Sequence, residues 1–158
     1  MFDVPVDGWY AWLGVAAASA ALFGATAGLP TTPPPDAAGV ADTVDRTATT
    51  EYGARAEHPL DAAELRLHPE RVGLRTDAGT VHAAFVYGPV TPVAGDAELE
   101  AVLAGARPGG QFDSPGELRR ATTRARSRAR DDGWRRVDGP LVVRHVVWEG
   151  VDVTLVGA

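Results

Sequence analysis

The longest apolar run of the chain lies near its N-terminus. Residues 9–29 read WYAWLGVAAASAALFGATAGL, which is 21 residues without a charged side chain. A helix of this length spans roughly 30 Å, the thickness of the hydrocarbon core of a bilayer. Aromatic side chains, which favour the lipid headgroup level, cluster at its first end: Trp9, Tyr10 and Trp12. The pattern predicts a transmembrane anchor over residues 1–29, with membrane lipid as the partner of residues 9–29.

Two other interpretations of this run remain open. A soluble protein can bury an apolar helix, although a helix this long normally carries some polar positions. A cleaved export signal would explain the small-x-small sequence Ala25-Thr26-Ala27. However, residues 1–8 contain two aspartates and no basic residue, whereas an export signal usually begins with a positive charge. The charges therefore favour an uncleaved anchor.

Small side chains form a stripe along the predicted anchor helix. They recur every three or four residues, at Gly14, Ala17, Ala21, Gly24 and Gly28. Helices in membranes pack closely over such stripes because small residues let the backbones approach each other. The stripe is a candidate site for helix packing against another subunit, although an alanine-rich helix also produces such stripes by chance.

A proline-rich segment follows the anchor. Residues 30–36 read PTTPPPD and predict a stiff, polyproline-like linker. Basic residues near a membrane helix indicate its cytoplasmic end, but the first one here is Arg46. Because such linkers are typical of spacers on the outer membrane face, we expect a single-pass protein of the cell membrane. The domain formed by residues 37–158 is then extracytoplasmic.

Three segments after the linker have the pattern of helices. The first begins after Asp36, which stands at the position of a capping residue. The predicted ranges are 37–49, 96–104 and 115–132. The third begins with Ser114-Pro115-Gly116-Glu117, which has a capping serine, a proline at the first helical position and a glutamate three residues after the cap.

Other segments alternate between apolar and polar residues and predict strands. A meander is expected from the apolar positions Leu65 and Leu67, Val72 and Leu74, and Val81, Ala83, Phe85 and Tyr87. Pro89 and Pro92 are expected to end it, since proline cannot donate to a strand ladder. Further strands are predicted at 134–137, 141–148 and 151–156. Residues 141–147 are apolar on both faces apart from Arg144 and His145, which predicts a central strand covered by a helix.

These elements together predict an α+β fold. We expect an N-terminal transmembrane helix followed by a small soluble domain of antiparallel β-sheet with one or two packed helices. The apolar phase of the strands places four residues in the core: Leu74, Phe85, Val143 and Val147.

The amino-acid composition excludes some kinds of site but leaves the kind of source organism open. The 158 residues contain 21 acidic and 15 basic side chains, all of the latter arginine, and a formal net charge of −6. Such a balance is typical of halophilic proteins, while an actinobacterial origin also fits the absence of Lys, Asn and Ile. Without cysteine, disulfides, thiolate metal sites and cysteine nucleophiles are excluded.

Arginines concentrate in and after the third predicted helix. They are Arg119, Arg120, Arg124, Arg126, Arg128, Arg130, Arg135 and Arg136. At 100° per residue the apolar and small residues gather on the opposite side of the helix, at Leu118, Ala121, Thr122, Ala125 and Ala129. Guanidinium groups can bind the phosphates of nucleic acid or lipid headgroups. In an acidic chain without interleaved aromatics we instead expect a solvated face, paired locally with Asp131 or Glu117, and no nucleic-acid partner.

No residue pattern indicates catalysis or a cofactor. The four histidines lack a recognised metal-ligand spacing. His82 and His145 lie on separate predicted strands and could meet across a sheet, where a structural pair is expected. Ser114 is assigned to a helix cap and Ser19 to the anchor. The sequence therefore offers no plausible nucleophile for a Ser-His-Asp catalytic site. The sequence predicts neither an enzyme nor a metal or cofactor site.

The opening MFDVPVDGWYAWLG, the small-residue helix and LPTTPPPDAAGVADTVDR resemble a family of haloarchaeal membrane-anchored proteins. The later stretch AEHPLDAAELRLHPERVGLRTDAGTVHAAF extends the resemblance over most of the chain. The resemblance implies an association with type IV pilus-like secretion systems. Unlike ordinary archaeal pilins, the chain lacks a basic leader with a processing site and an acidic residue just inside the helix.

Two functions follow as expectations. The first is a pilin-like or secretion-system accessory subunit that acts through protein-protein interaction. The second is a membrane-anchored extracytoplasmic module that binds a small ligand or acts on it as an enzyme. A pocket with converging polar groups would favour the second.

Overall fold

The computed structural model describes residues 12–20, 34–50 and 53–158, and the chain divides after Pro33 into two compact units. In the first unit, residues 12–20 form helix α1, whose side chains are exposed. Among the residues described, no helix is both long and apolar enough to cross a membrane. Residues 9–11 and 21–29 of the predicted anchor lie outside the described residues, so the anchor stays a prediction.

Three α-helices of the second unit match the predicted segments. They are α2 (Ala37–Ala48), α3 (Ala97–Ala104) and α4 (Pro115–Asp131). The side chains that cap them are Asp36, Asp96 and Ser114, which accept hydrogen bonds from Gly39 N, Leu99 N and Glu117 N. Each cap satisfies a backbone donor that has no partner inside its helix, which fixes where the helix begins.

Within the described residues, eight strands form two four-stranded sheets. The strands are β1 (Arg55–His58), β2 (Glu64–His68), β3 (Arg71–Thr76), β4 (Gly79–Ala84), β5 (Thr91–Pro92), β6 (Arg135–Arg136), β7 (Leu141–Trp148) and β8 (Val151–Gly157). One sheet, here called the mixed sheet, has the order β1-β7-β8-β5, and only its β5–β8 pair is parallel. The other, the antiparallel sheet, has the order β4-β3-β2-β6. The α+β class is confirmed, and β7 is central as predicted.

The prediction of a purely antiparallel sheet is wrong. Thr91 and Pro92, expected only to end the meander, form β5, which pairs in parallel with β8. Proline is tolerated there because β5 is an edge strand, where a missing N–H leaves no ladder bond unmade. The sequence prediction also omitted β1, whose four residues alternate between charged and neutral side chains without an apolar phase.

Two hydrophobic cores lie on opposite faces of the mixed sheet. The first joins α2 to one face of each sheet, through residues such as Val44, Leu67 and Val143. The second packs α3 and α4 against the other face of the mixed sheet, with Leu99, Leu118 and Leu155 fully buried. The predicted buried stripe of α4 is confirmed at Leu118, Ala121, Thr122, Ala125 and Ala129.

Three of the four predicted core residues are buried. Leu74, Phe85 and Val143 are 1%, 8% and 0% exposed. Val147 is 45% exposed, so that prediction is wrong. Val147 shares the strand phase of Val143, but along β7 the first core includes only Leu141 and Val143. The strand phase is therefore correct, and the first core ends before Val147.

Candidate binding surfaces

One face of the antiparallel sheet is not covered by either core. Residues directly opposite each other on neighbouring strands share a face. The register forms three rows across β2, β3 and β4: Glu64, Arg75 and Thr80; Arg66, Gly73 and His82; His68, Arg71 and Ala84. The residues between these rows, such as Leu65 and Leu74, face the first core. The three rows, with Trp134 and Arg136, are called the open face below.

Trp134 covers the centre of the open face. A Cβ atom at Gly73 would lie 2.9 Å from both Trp134 Cη2 and His82 Cδ2, so glycine makes room for the two rings. The ring of His82 contacts that of Trp134 edge-on at 5.9 Å between centroids. The guanidinium carbon of Arg75 lies 4.1 Å from the centroid of the Trp134 ring, within cation–π distance. These contacts fix an aromatic ring on an otherwise polar surface.

The open face is basic although the whole chain is acidic. It carries Arg66, Arg71, Arg75 and Arg136 against Glu64, a formal charge of +3, while the chain has −6. Arg75 Nη1 lies 2.9 Å from Glu64 Oε2, so one of the four arginines is partly neutralised. Burial and the neighbouring Arg71 lower the pKa of His68, which keeps that histidine from adding its charge.

The outer edge of β4 exposes unpaired backbone groups. Phe85 N donates to Glu70 O at 2.9 Å, and hydrogen-bonded pairs recur every second residue in an antiparallel ladder. Gly79, Val81 and Ala83 therefore bond to β3. The peptide groups of Thr80, His82 and Ala84 point away from it, and all three residues are exposed. No strand of the described residues pairs along this side of β4.

A second candidate surface is a cleft of about 450 Å³ beside β8. Its walls come from the end of α2, the loop before β5, α4 and the start of β8: Ala48, Val86, Tyr87, Gly88, Pro89, Arg126, Asp152, Val153 and Thr154. We call it the Arg126 cleft. Asp45 of α2 fixes the loop, because its two carboxylate oxygens accept from Val86 N at 3.0 Å and from Tyr87 N at 2.9 Å. The loop consequently holds two large exposed side chains, Val86 and Tyr87, at the rim.

Arg126 differs from the other arginines of α4 because it is half-buried. Its Nε donates to Oγ1 of the buried Thr91 at 2.9 Å, which orients the guanidinium. Burial lowers the pKa of Arg126, because a charged guanidinium loses hydration there. The ion pairs among the described residues do not include Arg126. Its two terminal nitrogens are thus the donors that remain for a ligand.

His145 joins the opposite wall of the cleft to the chain before β1. Its Nε2 lies 2.7 Å from Asp152 Oδ1, and its Nδ1 lies 2.7 Å from Thr50 O. The imidazole therefore links Asp152 to the backbone of Thr50. The side chain of Asp152 is 70% exposed, so it lies at the solvent side of the cleft.

The residues singled out in the sequence lie apart. His82 and His145 do not meet, since they belong to different sheets. In the arginine run, Arg128 pairs with Asp96 at 3.4 Å, whereas Glu117 accepts from Asp113 N. Gly14 and Ala17 lie in α1, and the other stripe residues, Ala21, Gly24 and Gly28, lie outside the described residues. The described residues contain no group of three or more side chains placed to hold a metal ion.

The Arg126 cleft was not predicted from the sequence, where Arg126 is one of eight arginines with no feature in composition to separate it. Arg126 follows the buried Thr122 by four residues and precedes the buried Ala129 by three, so helical geometry places it beside the buried stripe of α4. That spacing is the signal that separates Arg126 from the solvated arginines around it.

These observations define a small two-sheet α+β domain that carries a basic open face and an arginine-lined cleft. A family model described as a family of unknown function (DUF7283) matches residues 3–146, and the chain therefore belongs to that family. No curated protein and no solved structure matches the chain.

Proposed function

We propose that the protein is a membrane-anchored accessory subunit of a pilin-like or secretion assembly, which acts through protein-protein interaction. Residues 9–29 hold it in the membrane, and the domain beyond the linker binds a partner protein. The observation that carries the proposal is the open edge of β4, where three outward peptide groups lie beside a basic face. An extended segment that adds to a sheet edge gains main-chain hydrogen bonds in this way.

Charge selects the kind of segment that fits. A strand added beside β4 would place alternate side chains on the open face opposite Thr80, His82 and Ala84, with Arg75 and Arg71 one strand further in on β3. Acidic residues at those alternate positions complement the formal charge of +3. The partner is therefore an extended segment of another protein with a carboxylate at every second residue.

A second copy of this chain fits the edge less well. Pairing β4 with β4 of another molecule would bring two basic faces side by side. The formal charge of +3 on each open face would then repel the charge on the other. The same repulsion protects the exposed edge from self-association, which edge strands otherwise invite.

The anchor supplies a second contact in the proposal. The stripe of Gly14, Ala17, Ala21, Gly24 and Gly28 packs against a helix of a membrane subunit. Gly24→Leu keeps the segment apolar and long enough to span, so it separates packing from insertion. We expect the variant to stay in the membrane fraction after extraction at high pH and to lose cross-links to its helix partner. Soluble wild-type protein would contradict the anchor, and unchanged cross-links would contradict packing over the stripe.

Strand addition is tested with a peptide of defined pattern. The probe is a ten-residue peptide with Glu at every second position and Val or Thr between, added to the full-length chain labelled with ¹⁵N. On binding, amide exchange should slow at Thr80, His82 and Ala84, because these N–H groups gain acceptors. Val81 and Ala83 should change little, because they already bond to β3.

Charge variants provide the matched control. Arg71→Glu should weaken peptide binding by about tenfold, and a peptide with Lys in place of Glu should not bind. Arg124→Glu changes the net charge equally, on the exposed side of α4, and should leave binding within about twofold. Equal losses in the two variants, or slowed exchange at Val81 and Ala83 instead, would contradict docking at the open edge.

A further inference from the structure

The Arg126 cleft carries an inference that is independent of the open face. We propose that it is a binding site for a monocarboxylate with an apolar body, whose carboxylate is held by the two terminal nitrogens of Arg126. The proposal concerns a ligand of the protein and does not depend on a partner strand at β4.

The arginine is positioned for an anion before any ligand arrives. Its Nε bond to Thr91 fixes the plane of the guanidinium, and Thr91 itself is fully buried on β5. A fixed guanidinium offers two parallel N–H groups at the spacing of a carboxylate, which allows a bidentate contact. Because the group is half-buried and outside the ion pairs of the described residues, an anionic ligand would restore the interactions that it lost on burial.

The charge of the cleft favours one negative charge over two. Arg126 contributes one positive charge to the cleft, and Asp152 on the other wall contributes a negative one. A dianionic phosphate would place two charges against a single guanidinium and close to Asp152. A carboxylate matches the guanidinium one to one.

The exposed side chains at the rim of the Arg126 cleft explain why the proposed ligand has an apolar body. Val86 and Tyr87 are 79% and 58% exposed, and the carboxylate of Asp45 keeps their backbone in place. Pro89 and Val153 add two more apolar walls. Side chains fixed at the mouth of a cleft can bury part of a ligand at little ordering cost. The volume of about 450 Å³ is enough for an acid with one aromatic ring.

The test compares three probes on the full-length chain: 3-phenylpropanoate, its primary amide and phenyl phosphate. Titration is followed by calorimetry and by the Nε–H resonance of Arg126. The acid should bind at least about tenfold more tightly than the amide, which has the same shape without the charge. It should also bind more tightly than phenyl phosphate, and the Arg126 resonance should shift with the acid alone.

Variants locate the site. Arg126→Gln should reduce acid binding by at least about tenfold, whereas Arg124→Gln, two residues away on the exposed side of α4, should keep it within about twofold. Tyr87→Ala changes an exposed rim residue and should weaken binding severalfold without affecting the fold. Equal affinities of the wild-type chain for the acid and its amide would overturn the proposal, even if Arg126→Gln did not fold.

A fourth probe, N-acetyl-glycyl-phenylalanine, distinguishes the source of the carboxylate. Tighter binding than 3-phenylpropanoate would assign the site to the C-terminal carboxylate of a peptide. Weaker binding would assign it to a small free acid. Both results support the carboxylate site, and tightest binding of phenyl phosphate among the four probes would reject it.

Discussion

The two sheets of the domain differ in how many of their faces are covered. The mixed sheet is packed on one face against the core of α2 and on the other against α3 and α4. The antiparallel sheet is packed on one face only, and its other face carries four arginines and Trp134. A sheet covered on both sides has little surface left for recognition except at its ends and edges. The open face and the open edge of β4 therefore belong to the second sheet, and the Arg126 cleft lies at an uncovered end of the first.

The strand compositions reflect this difference. β7 and β8 bury apolar residues on both faces, as strands covered on both sides do. β2 alternates strictly between half-buried and buried residues, as a strand with one solvent-exposed face does. The number of covered faces can consequently be read from the period of the apolar residues along each strand.

The largest expected effect separates the covered face from the open one. Leu155→Ala removes a fully buried side chain from the core under α3 and α4 and should lower the free energy of unfolding by about 2–5 kcal/mol. Arg71→Ala changes an exposed residue of the open face and should stay within about 0.5 kcal/mol of wild type. Urea unfolding at constant m-value measures both. Similar losses in the two variants would mean that the open face also contributes packing.

A smaller effect is expected from the two strand histidines. His145→Leu removes the contacts of the buried imidazole with Thr50 O and with the carboxylate of Asp152 and should cost about 1–3 kcal/mol. His82→Leu is the matched control on the open face, where the ring is exposed, and should cost less than about 0.5 kcal/mol. The same unfolding experiment compares them. An equal cost would show that the ring contact of His82 with Trp134 stabilises the fold as much as the buried hydrogen bonds do.

The sequence predicted local structure better than it predicted which elements meet. The caps at Asp36 and Ser114 and the buried side of α4 depend on residues within one or two helical turns, and each was predicted correctly. The pairing of strands depends on contacts that are distant in sequence. Nothing in the alternation around His82 and His145 indicates that their strands belong to different sheets.

The candidate surfaces illustrate the same limit. The composition of the open face was visible in the alternation of β2 to β4, but Trp134 reaches Gly73 only through the pairing of β6 with β2. The cleft required the loop at Val86 to meet α4 and β8, and this depends on the carboxylate of Asp45, about 40 residues earlier in the chain. Local spacing could identify Arg126 as unusual, and only the fold could supply the walls around it.

The topology of the mixed sheet also has a consequence for biosynthesis. Both edge strands, β1 and β5, pair only with strands that come later in the chain: β1 with β7, and β5 with β8. A chain emerging from the ribosome can form the β2–β3–β4 meander early, because those contacts are local. The apolar residues of α2, α3 and α4 stay exposed to aggregation until the hairpin of β7 and β8 packs against them. Because β7 and β8 contribute side chains to both cores, we expect the hairpin from Leu141 to Gly157 to complete both cores in one step of folding.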